Sequence, residues 1–366
     1  MRDLMSTQNS CGHQVSAVVH QHSASEKSAH EVDNGMSIYR MSIQSIVLFV
    51  PISVFAYFWL RKALNKENPE ILHLHKPNAT CFWLLFLPSA RKLPWIVHWH
   101  SDVIGERPDR RVKILYPFYR VFEQWLLRRA AKVIVTSPNY LMSSTPLTKW
   151  RDKCEIVPLG VNIRSDASAS NDVEEEKKSS ELQVLCIGRL TYYKGHKYLI
   201  ESISKAKEEG IVIHLDLVGD GDLKSICEQQ VNDLNVQELV TFHGSVDQNC
   251  LNQLMARSHV VCLPSIERTE AFGLVLLEAM RAKKPCIVTN VPGSGLSFVV
   301  DHLKTGLVVE HSNAEALAEA FIHCTCHPHH LKDWGDSGYQ KVETQFSLES
   351  IAKQIDKIYQ EVLADT

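Results

Sequence analysis

The sequence predicts an α/β protein built from two doubly wound domains with parallel sheets. Short runs of β-branched residues alternate with helical stretches, as is typical of such sheets. The first set is HQVSAVVH, ILHLH, WIVHWH and KVIVTS, and the second is VLCIG, IHLDLVG, VTFHG, VVCLPS and PCIVTN. Between the sets, residues 163–182 contain almost no apolar side chains, which predicts a solvated linker. A length of 366 residues, 45% of them hydrophobic, suits two domains with ample cores.

The predicted order is a first domain over residues 1–163, a linker over 164–182, a second domain over 183–345 and a final helix over 346–366. Within the first domain, the apolar stretch 43–60 contains Gln44, Ser45, Pro51 and Ser53, which argues against a membrane span. We expect a buried loop there, continuing from about Ser53 into a helix that ends at Lys66.

The last twenty residues predict an amphipathic helix. Apolar residues recur at helical spacing behind the start signals Ser347 and Glu349. They are Ile351, Ile355, Ile358 and Val362.

Charge and cysteine usage exclude several classes of protein. Lys and Arg total 39 and Asp and Glu total 42, a net charge of −3, so we expect no nucleic-acid partner. The ten cysteines lack the short regular spacing of a disulfide framework, which indicates reduced thiols. The N-terminus MRDLMSTQNSCGHQV has no secretion signal, and we expect a cytoplasmic protein.

The stretch PSIERTEAFGLVLLEAM, residues 264–280, carries the strongest chemical signal. A helix beginning near Gly273 would aim the free N–H groups of residues 271–274 at an anion such as a diphosphate. Glu270 precedes that anion site, and Glu278 lies about one and a half turns into the helix, where it can accept hydrogen bonds from hydroxyls. The motif therefore indicates a cradle for a nucleotide sugar. The alternative is an ordinary anion-binding helix start with a surface glutamate.

A second motif, LCIGRLTYYKG, ends a predicted strand at Gly188 and supplies Arg189 and Lys194. Glycine permits close backbone approach, while the guanidinium fork and the ammonium can neutralise a diphosphate. Taken alone, the pattern also suits an ordinary surface strand end. The turn LVGDGDL at 217–223 lacks the third glycine of a dinucleotide fingerprint and is interpreted as a tight turn beside the nucleotide.

Together, GRLTYYKG, LVGDGDL, VTFHGSV, EAFGLVLLEAM and TNVPGSG resemble the nucleotide-sugar domain of family 4 retaining glycosyltransferases. PEILHLHKPN, IVHWHSDV, KVIVTSPNYL and KCEIVPLGV resemble the acceptor-side domain of the bacterial polysaccharide and lipopolysaccharide branch. The resemblance implies the GT-B fold: two Rossmann-like domains facing a central cleft, with the last helix crossing back onto the first domain.

The resemblance also implies roles for individual residues. His100 would lie beside the reacting sugar, Glu270 near the sugar hydroxyls and Glu278 on the ribose. The backbone around Val246 would meet the base. The diphosphate and sugar would be held by the remaining residues: Gly188, Arg189, Lys194, Ala271, Phe272, Gly273 and Leu274.

The activity implied is the transfer of a hexose of mannose, glucose or galactose type from a nucleoside-diphosphate sugar to a glycan or lipid-linked acceptor. Retaining relatives react on one face of the sugar, without a covalent intermediate and without a required metal or other cofactor. The expected pathway is cell-surface polysaccharide biosynthesis.

Two histidine pairs keep a metal-dependent hydrolase open as an alternative. His73-x-His75 and His98-x-His100 each place two imidazoles on one face of a predicted strand. No third ligand follows at a defensible spacing, so no metal site is predicted. The run HCTCHPHH at 323–330 is interpreted as a solvated helix end with adventitious metal affinity.

Residues 110–132 are basic and interleaved with the aromatic side chains Tyr116, Phe118, Tyr119, Phe122 and Trp125. This pattern suits an anionic membrane surface, which would place the protein at the inner face of the plasma membrane. A core helix with a wet basic face is the alternative.

The chain departs from the family at its front, where relatives have an apolar strand and a Gly-Gly loop before the stretch resembling GHQVSAVVH. In those relatives a helix follows the Gly-Gly loop, and the first eleven residues here resemble the end of that helix. The strands next to the absent strand are expected to lack hydrogen-bonded ladder partners. Either the recorded start lies downstream of the true one, or the chain is a truncated, catalytically inactive nucleotide-binding paralogue.

Overall fold

The computed structural model describes residues 1–23, 25–47, 50–103, 110–163 and 181–365. These residues divide into two compact units. The first contains residues 1–136, 144–158 and 348–366, and the second contains residues 137–143 and 159–347. The predicted linker lies outside the described residues, apart from its last two positions. All ten cysteines carry free thiols.

The first unit begins with α1 (Arg2–Ser10) and a three-stranded sheet of β1 (Ser16–His20), β2 (Ala29–Asp33) and β3 (Met36–Met41). β1 runs parallel to β3, while β2 and β3 form an antiparallel hairpin. The hairpin was not predicted, although its turn carries a recognisable signal. Asn34 and Gly35 both have positive φ, the conformation of the tight turns that join hairpin strands.

The expected buried loop at 43–52 is wrong. The chain there forms a second hairpin, β4 (Ser45–Val47) paired with β5 (Val50–Ile52). Its strands are rich in β-branched residues, which favour the extended backbone over a loop. The predicted helix follows as α2 (Ala56–Glu67), one residue beyond the expected end.

A four-stranded parallel sheet completes the first unit, in the order β6 (Leu72–Lys76), β7 (Trp95–Trp99), β8 (Lys132–Val135) and β9 (Cys154–Ile156). The long helix α3 (Arg110–Arg129) lies between β7 and β8 in sequence. Within the described ranges, β1 and β6 are edge strands and their two sheets share no ladder.

The C-terminal helix α12 (Leu348–Ala364) packs on this parallel sheet. The four apolar residues that predicted the helix are all buried, and they contact Ile96, Ile134 and Val157. The chain therefore returns to its first unit at its end, as the GT-B prediction requires.

The second unit is a six-stranded parallel sheet in the order β12-β11-β10-β13-β14-β15. Its strands are β10 (Leu182–Ile187), β11 (Ile213–Val218), β12 (Val240–Gly244), β13 (Val260–Leu263), β14 (Cys286–Thr289) and β15 (Gly306–Val309). Its helices are α4 (Pro138–Ser143), α5 (His196–Glu208), α6 (Lys224–Asp233), α7 (Gln248–Arg257), α8 (Leu274–Arg281), α9 (Leu296–Val299), α10 (Ala314–Cys326) and α11 (Pro328–Gln345).

The strand order of this sheet reverses between β10 and β13. In doubly wound sheets, ligands bind outside the carboxyl ends of the strands at such a reversal. The loops after β10 and β13 are therefore the first place to search for a site. In none of the described ranges does a helix combine the length and apolar content needed to cross a membrane.

Candidate functional site

The loops after β10 and β11 are locked together through their backbones. Gly188 donates its N–H to the carbonyl of Val218 over 2.9 Å. Gly219 has a φ of +131°, and a Cβ there would come within 2.1 Å of the Gly188 carbonyl oxygen. This turn borders the candidate site and requires glycine because two backbones meet there.

The loop after β10 also meets the loop after β13. Ile266 donates its N–H to the carbonyl of Tyr193 over 2.8 Å. Gly195 ends the first loop with a φ of +73°, and a Cβ there would lie 2.0 Å from the carbonyl oxygen of Pro264. These contacts bring together two motifs that are seventy residues apart in sequence.

The contact between these two loops brings Lys194 and Glu270 together. The Lys194 Nζ lies 2.5 Å from the Glu270 Oε2, and each side chain is only 13% exposed. The lysine side chain runs past Gly188, where an added Cβ would lie 3.3 Å from Nζ. The largely buried ion pair holds the ammonium at the reversal point of the sheet.

The start of α8 provides hydrogen-bond donors next to this pair. Gly273 precedes the helix with a φ of +78°. The N–H groups of Ala271, Phe272, Gly273 and Leu274 donate to no partner within the described part of the chain. These free donors, together with the positive end of the helix, suit an anion.

The loop after β14 supports the segment before α8. Gly295 donates its N–H to the carbonyl of Ala271 over 3.0 Å, and the Ser294 hydroxyl donates to the Glu270 carbonyl. The Ser265 hydroxyl donates to the Glu270 carboxylate over 3.3 Å. Neither serine was predicted as a site residue from the sequence, although the motif TNVPGSG contains Ser294.

The remaining candidates in the second unit differ in environment. Glu278 is half-buried, and burial raises the pKa of its carboxyl while nearby Arg281 opposes that rise. Arg189 is exposed and forms no ion pair with any described residue. Val246 follows β12 and packs its side chain against the core, leaving its backbone as the group that can meet a ligand.

His196 also lies beside Lys194, and it was not predicted as a site residue from the sequence. It follows Gly195, its side chain is 3% exposed, and its Nδ1 has no hydrogen-bond partner among the described residues. Burial, reinforced by the charge of Lys194, lowers its pKa to about 4. The imidazole is therefore neutral beside the ammonium, and it adds no charge to the site.

Glu270 and His100 are the two candidates for a catalytic role, and His100 belongs to the first unit. It follows β7, and its Nε2 lies 2.9 Å from the Nδ1 of His75. Burial lowers its pKa to about 4. Nearby, the buried carboxylate of Asp102 accepts hydrogen bonds from the Trp99 indole and the Ser144 hydroxyl, which orders the chain after β7.

Two family models match the chain in turn. Residues 1–160 match the glycosyl transferase 4-like domain, and residues 168–341 match glycosyl transferases group 1. Two units that each contain a parallel sheet, with a last helix that packs on the first unit, are the architecture of the GT-B fold. The chain belongs to the family 4 glycosyltransferases and is a hexosyltransferase.

Curated relatives and a solved structure agree with this assignment. The D-rhamnosyltransferase WbpZ of Pseudomonas aeruginosa is 27% identical over 84% of this chain and 77% of its own. The O-antigen chain mannosyltransferase C of Escherichia coli is 24% identical over 81% of this chain and 77% of its own. The crystal structure of Anabaena HepE in complex with UDP is 19% identical, covers 88% of this chain and 86% of its own, and superposes with a TM-score of 0.68.

Proposed function

We propose that the protein transfers a hexose, with retention of configuration, from a nucleoside-diphosphate sugar to a glycan or lipid-linked acceptor in cell-surface polysaccharide biosynthesis. One observation carries the proposal: the Lys194 ammonium, held by Glu270, lies in the same site as the free N–H groups before α8. This set of donors suits the charge of a diphosphate. The relatives named above are a rhamnosyltransferase and a mannosyltransferase, and the HepE structure contains UDP, which supports a nucleoside-diphosphate sugar as the donor.

The roles of these residues follow from the place where negative charge develops during the reaction. Cleavage of the sugar–phosphate bond gives the sugar oxocarbenium character and leaves negative charge on the diphosphate. Lys194, held by Glu270, and the N–H groups of residues 271–274 stabilise that charge from positions they already occupy, which is the largest catalytic term in many enzymes, and the exposed Arg189 adds a further positive charge. Since these groups supply the positive charge, the proposed reaction needs no metal and no other cofactor.

The other candidates bind and position the donor sugar nucleotide. Glu270 accepts hydrogen bonds from sugar hydroxyls, Glu278 accepts them from the ribose, and the backbone at Val246 contacts the base. His100, with its pKa near 4, is neutral at physiological pH and hydrogen-bonds to the sugar on the acceptor side. The departing phosphate takes the proton of the attacking acceptor hydroxyl on the same face of the sugar.

The donor-site assignment is tested by Lys194→Ala. We expect kcat to fall by roughly 10²- to 10³-fold, the usual cost of removing one preorganised donor to a developing oxyanion, with the acceptor KM nearly unchanged. Lys197→Ala, which removes an exposed lysine three residues later, is the matched control and keeps full activity. The assay measures transfer of radiolabelled sugar from a panel of nucleotide sugars.

A variant that raises only the acceptor KM contradicts the role of Lys194. If the wild-type chain itself neither transfers sugar nor slowly hydrolyses any donor of the panel, yet binds nucleoside diphosphate, the inactive-paralogue alternative holds instead. A metal-dependent hydrolase has no support in the relatives found, which are transferases.

A membrane-facing role for α3 is part of the proposal. An apolar stripe along the helix, at spacings of four, three and four residues, is exposed to solvent. Its members are Ile114, Phe118, Val121 and Trp125, of which the first two are each 68% exposed. The exposed rings of Trp83 and Phe86 extend it, since Phe86 contacts Trp125 edge-on at 5.6 Å between centroids.

This arrangement weighs against a purely internal helix, because an exposed apolar stripe beside Arg120 and Arg128 matches helices that lie in a bilayer interface. The side chains of residues 110–113 lie outside the described part. The proposed location is the inner face of the plasma membrane, where lipid-linked acceptors are presented.

Liposome flotation tests this location. We expect the protein to float with vesicles containing anionic lipid at low salt, and Phe118→Ser to weaken flotation more than Met142→Ser, a change at an exposed apolar residue on α4. Absence of flotation at low salt would remove the membrane proposal while leaving the donor assignment intact.

A further inference from the structure

Four histidine side chains stack on one face of the parallel sheet in the first unit. His73 and His75 lie on β6, and His98 and His100 lie on and just after β7. The two strands are parallel with His75 directly opposite His98, so all four rings share a face. Their centroids lie 4.3–5.3 Å from their neighbours.

Several ring nitrogens in this stack have no partner. His98 is 2% exposed, yet neither its Nδ1 nor its Nε2 has a hydrogen-bond partner among the described residues, and the same is true of the His73 Nε2. A neutral imidazole buried without hydrogen bonds loses its interactions with water and regains nothing in return. Buried polar atoms without a protein partner are commonly satisfied by an ordered water molecule or an ion.

We infer that His73, His75 and His98 bind one divalent transition-metal ion of the zinc class, at a site separate from the nucleotide-sugar donor groups. One ring nitrogen of each of the three lies within 4.8 Å of those of the other two. Tetrahedral zinc with bonds of about 2.0–2.1 Å needs ligand nitrogens about 3.4 Å apart. Because the three ring planes lie within 6–24° of parallel, the rings must rotate out of the stack for their nitrogens to converge on one tetrahedral ion.

One ring nitrogen in each of two ligands already has a partner that orients the ring. The Nδ1 of His73 lies 2.6 Å from the Tyr359 hydroxyl, which in turn accepts a hydrogen bond from the Gln8 amide over 3.0 Å. The Nδ1 of His75 lies 2.9 Å from the Nε2 of His100. Metal-binding histidines commonly have such outer partners on the nitrogen that does not bind the ion.

The chemistry of the ligand side chains favours some metal ions over others. Three imidazoles without a carboxylate among the clustered groups suit zinc, copper or nickel and disfavour magnesium or calcium. Zinc binds imidazole in its neutral form.

The test uses the full chain carrying an affinity tag without histidines, stripped with a chelator and titrated with Zn²⁺ against a chromophoric competitor. We expect one equivalent of zinc to survive dialysis, measured by elemental mass spectrometry, and the melting temperature to rise with zinc concentration. His98→Leu should lower zinc affinity by more than tenfold while keeping the melting temperature of the stripped protein, because it replaces an unpaired buried polar ring with an apolar group.

Two further variants keep the test decisive. Tyr359→Phe removes only the hydroxyl that orients His73 and should weaken zinc binding by about 10- to 100-fold, which carries the test if His98→Leu fails to fold. The double variant His327→Asn with His330→Asn removes two histidines of the separate run beside α10 and should retain the tightly bound equivalent. The inference is overturned if that double variant loses the zinc while His98→Leu and Tyr359→Phe keep it, or if the stripped wild-type protein shows no zinc-dependent shift.

Discussion

At the residue scale, the candidate donor site depends on single positions where two backbones meet. Gly195 is the clearest case, because its φ is positive and its hydrogen faces the carbonyl of Pro264. The contact joins the loop carrying Lys194 to the loop carrying Glu270. A side chain at this position would have to separate the two loops, and with them the ion pair.

Gly195→Ala is therefore expected to destabilise the protein by about 2–4 kcal/mol, since it combines a clash with an unfavourable φ. Gly210→Ala is the matched control. Gly210 has a φ of +79° with no atom within 4 Å of an added Cβ, so only the conformational cost of about 1–2 kcal/mol applies. Urea denaturation measures both, and equal losses in the two variants would show that the Pro264 contact is unimportant.

At the element scale, α3 has one face toward the sheet and another toward solvent. Its buried face includes Glu123, which is 1% exposed and lies near Lys76 of β6. The Lys76 ammonium is 1% exposed, donates to the Tyr119 hydroxyl over 2.7 Å and lies 4.3 Å from the centre of the Phe82 ring. Burial raises the pKa of Glu123 to about 7 and lowers that of Lys76 to about 8.

The raised pKa of Glu123 predicts a pH-dependent stability. A carboxyl with a folded pKa near 7 and an unfolded pKa near 4.5 holds its proton more tightly in the folded state, so stability is lost as pH rises from 4.5 to about 7. Glu123→Gln cannot ionise. Its stability relative to wild type should therefore increase over that range, by at most about 1.4 kcal/mol per pH unit.

Thermal or urea unfolding at pH 5, 6 and 7 measures this difference. Glu155→Gln is the control, because Glu155 lies on β9 with its carboxylate 44% exposed and paired with Lys132. A stability difference between Glu123→Gln and wild type that stays constant from pH 5 to 7 would contradict the raised pKa.

At the scale of the whole molecule, the first unit is completed by the last helix of the chain. Ile355 of α12 is fully buried against Ile96 and Ile134, which precede it by more than 200 residues. The stability of the parallel sheet in the first unit therefore depends on residues that are distant in sequence. A truncation after residue 347 would expose the apolar surface of that sheet.

Ile355→Ala should cost about 2–5 kcal/mol, the usual range for removing a buried isoleucine side chain. Lys353→Ala, a change at an exposed position of the same helix, should cost little. Hydrogen exchange locates the loss: we expect faster exchange in β7 and β8 and unchanged exchange in β10 and β13. Faster exchange in β10 and β13 to the same extent would contradict the assignment of α12 to the first unit.

Much of this architecture could be predicted from local sequence. The pattern of apolar residues predicts the nine strand runs and the amphipathic C-terminal helix. A glycine predicts the start of the helix that follows Gly273. The hairpins β2-β3 and β4-β5 were not predicted. The strands β4 and β5 have only three residues each, and β2, with exposed and half-buried residues throughout, lacks the strong apolar pattern that marks a buried strand.

Sequence alone determined that the chain is a two-domain parallel α/β protein and predicted an anion site at a helix start, because periodicity and turn chemistry are local properties. Only the tertiary structure decided which distant groups meet. It paired Lys194 with Glu270, exposed the apolar stripe of α3, and stacked two His-x-His pairs with unpartnered nitrogens, since contacts between separate strands and loops depend on register and packing.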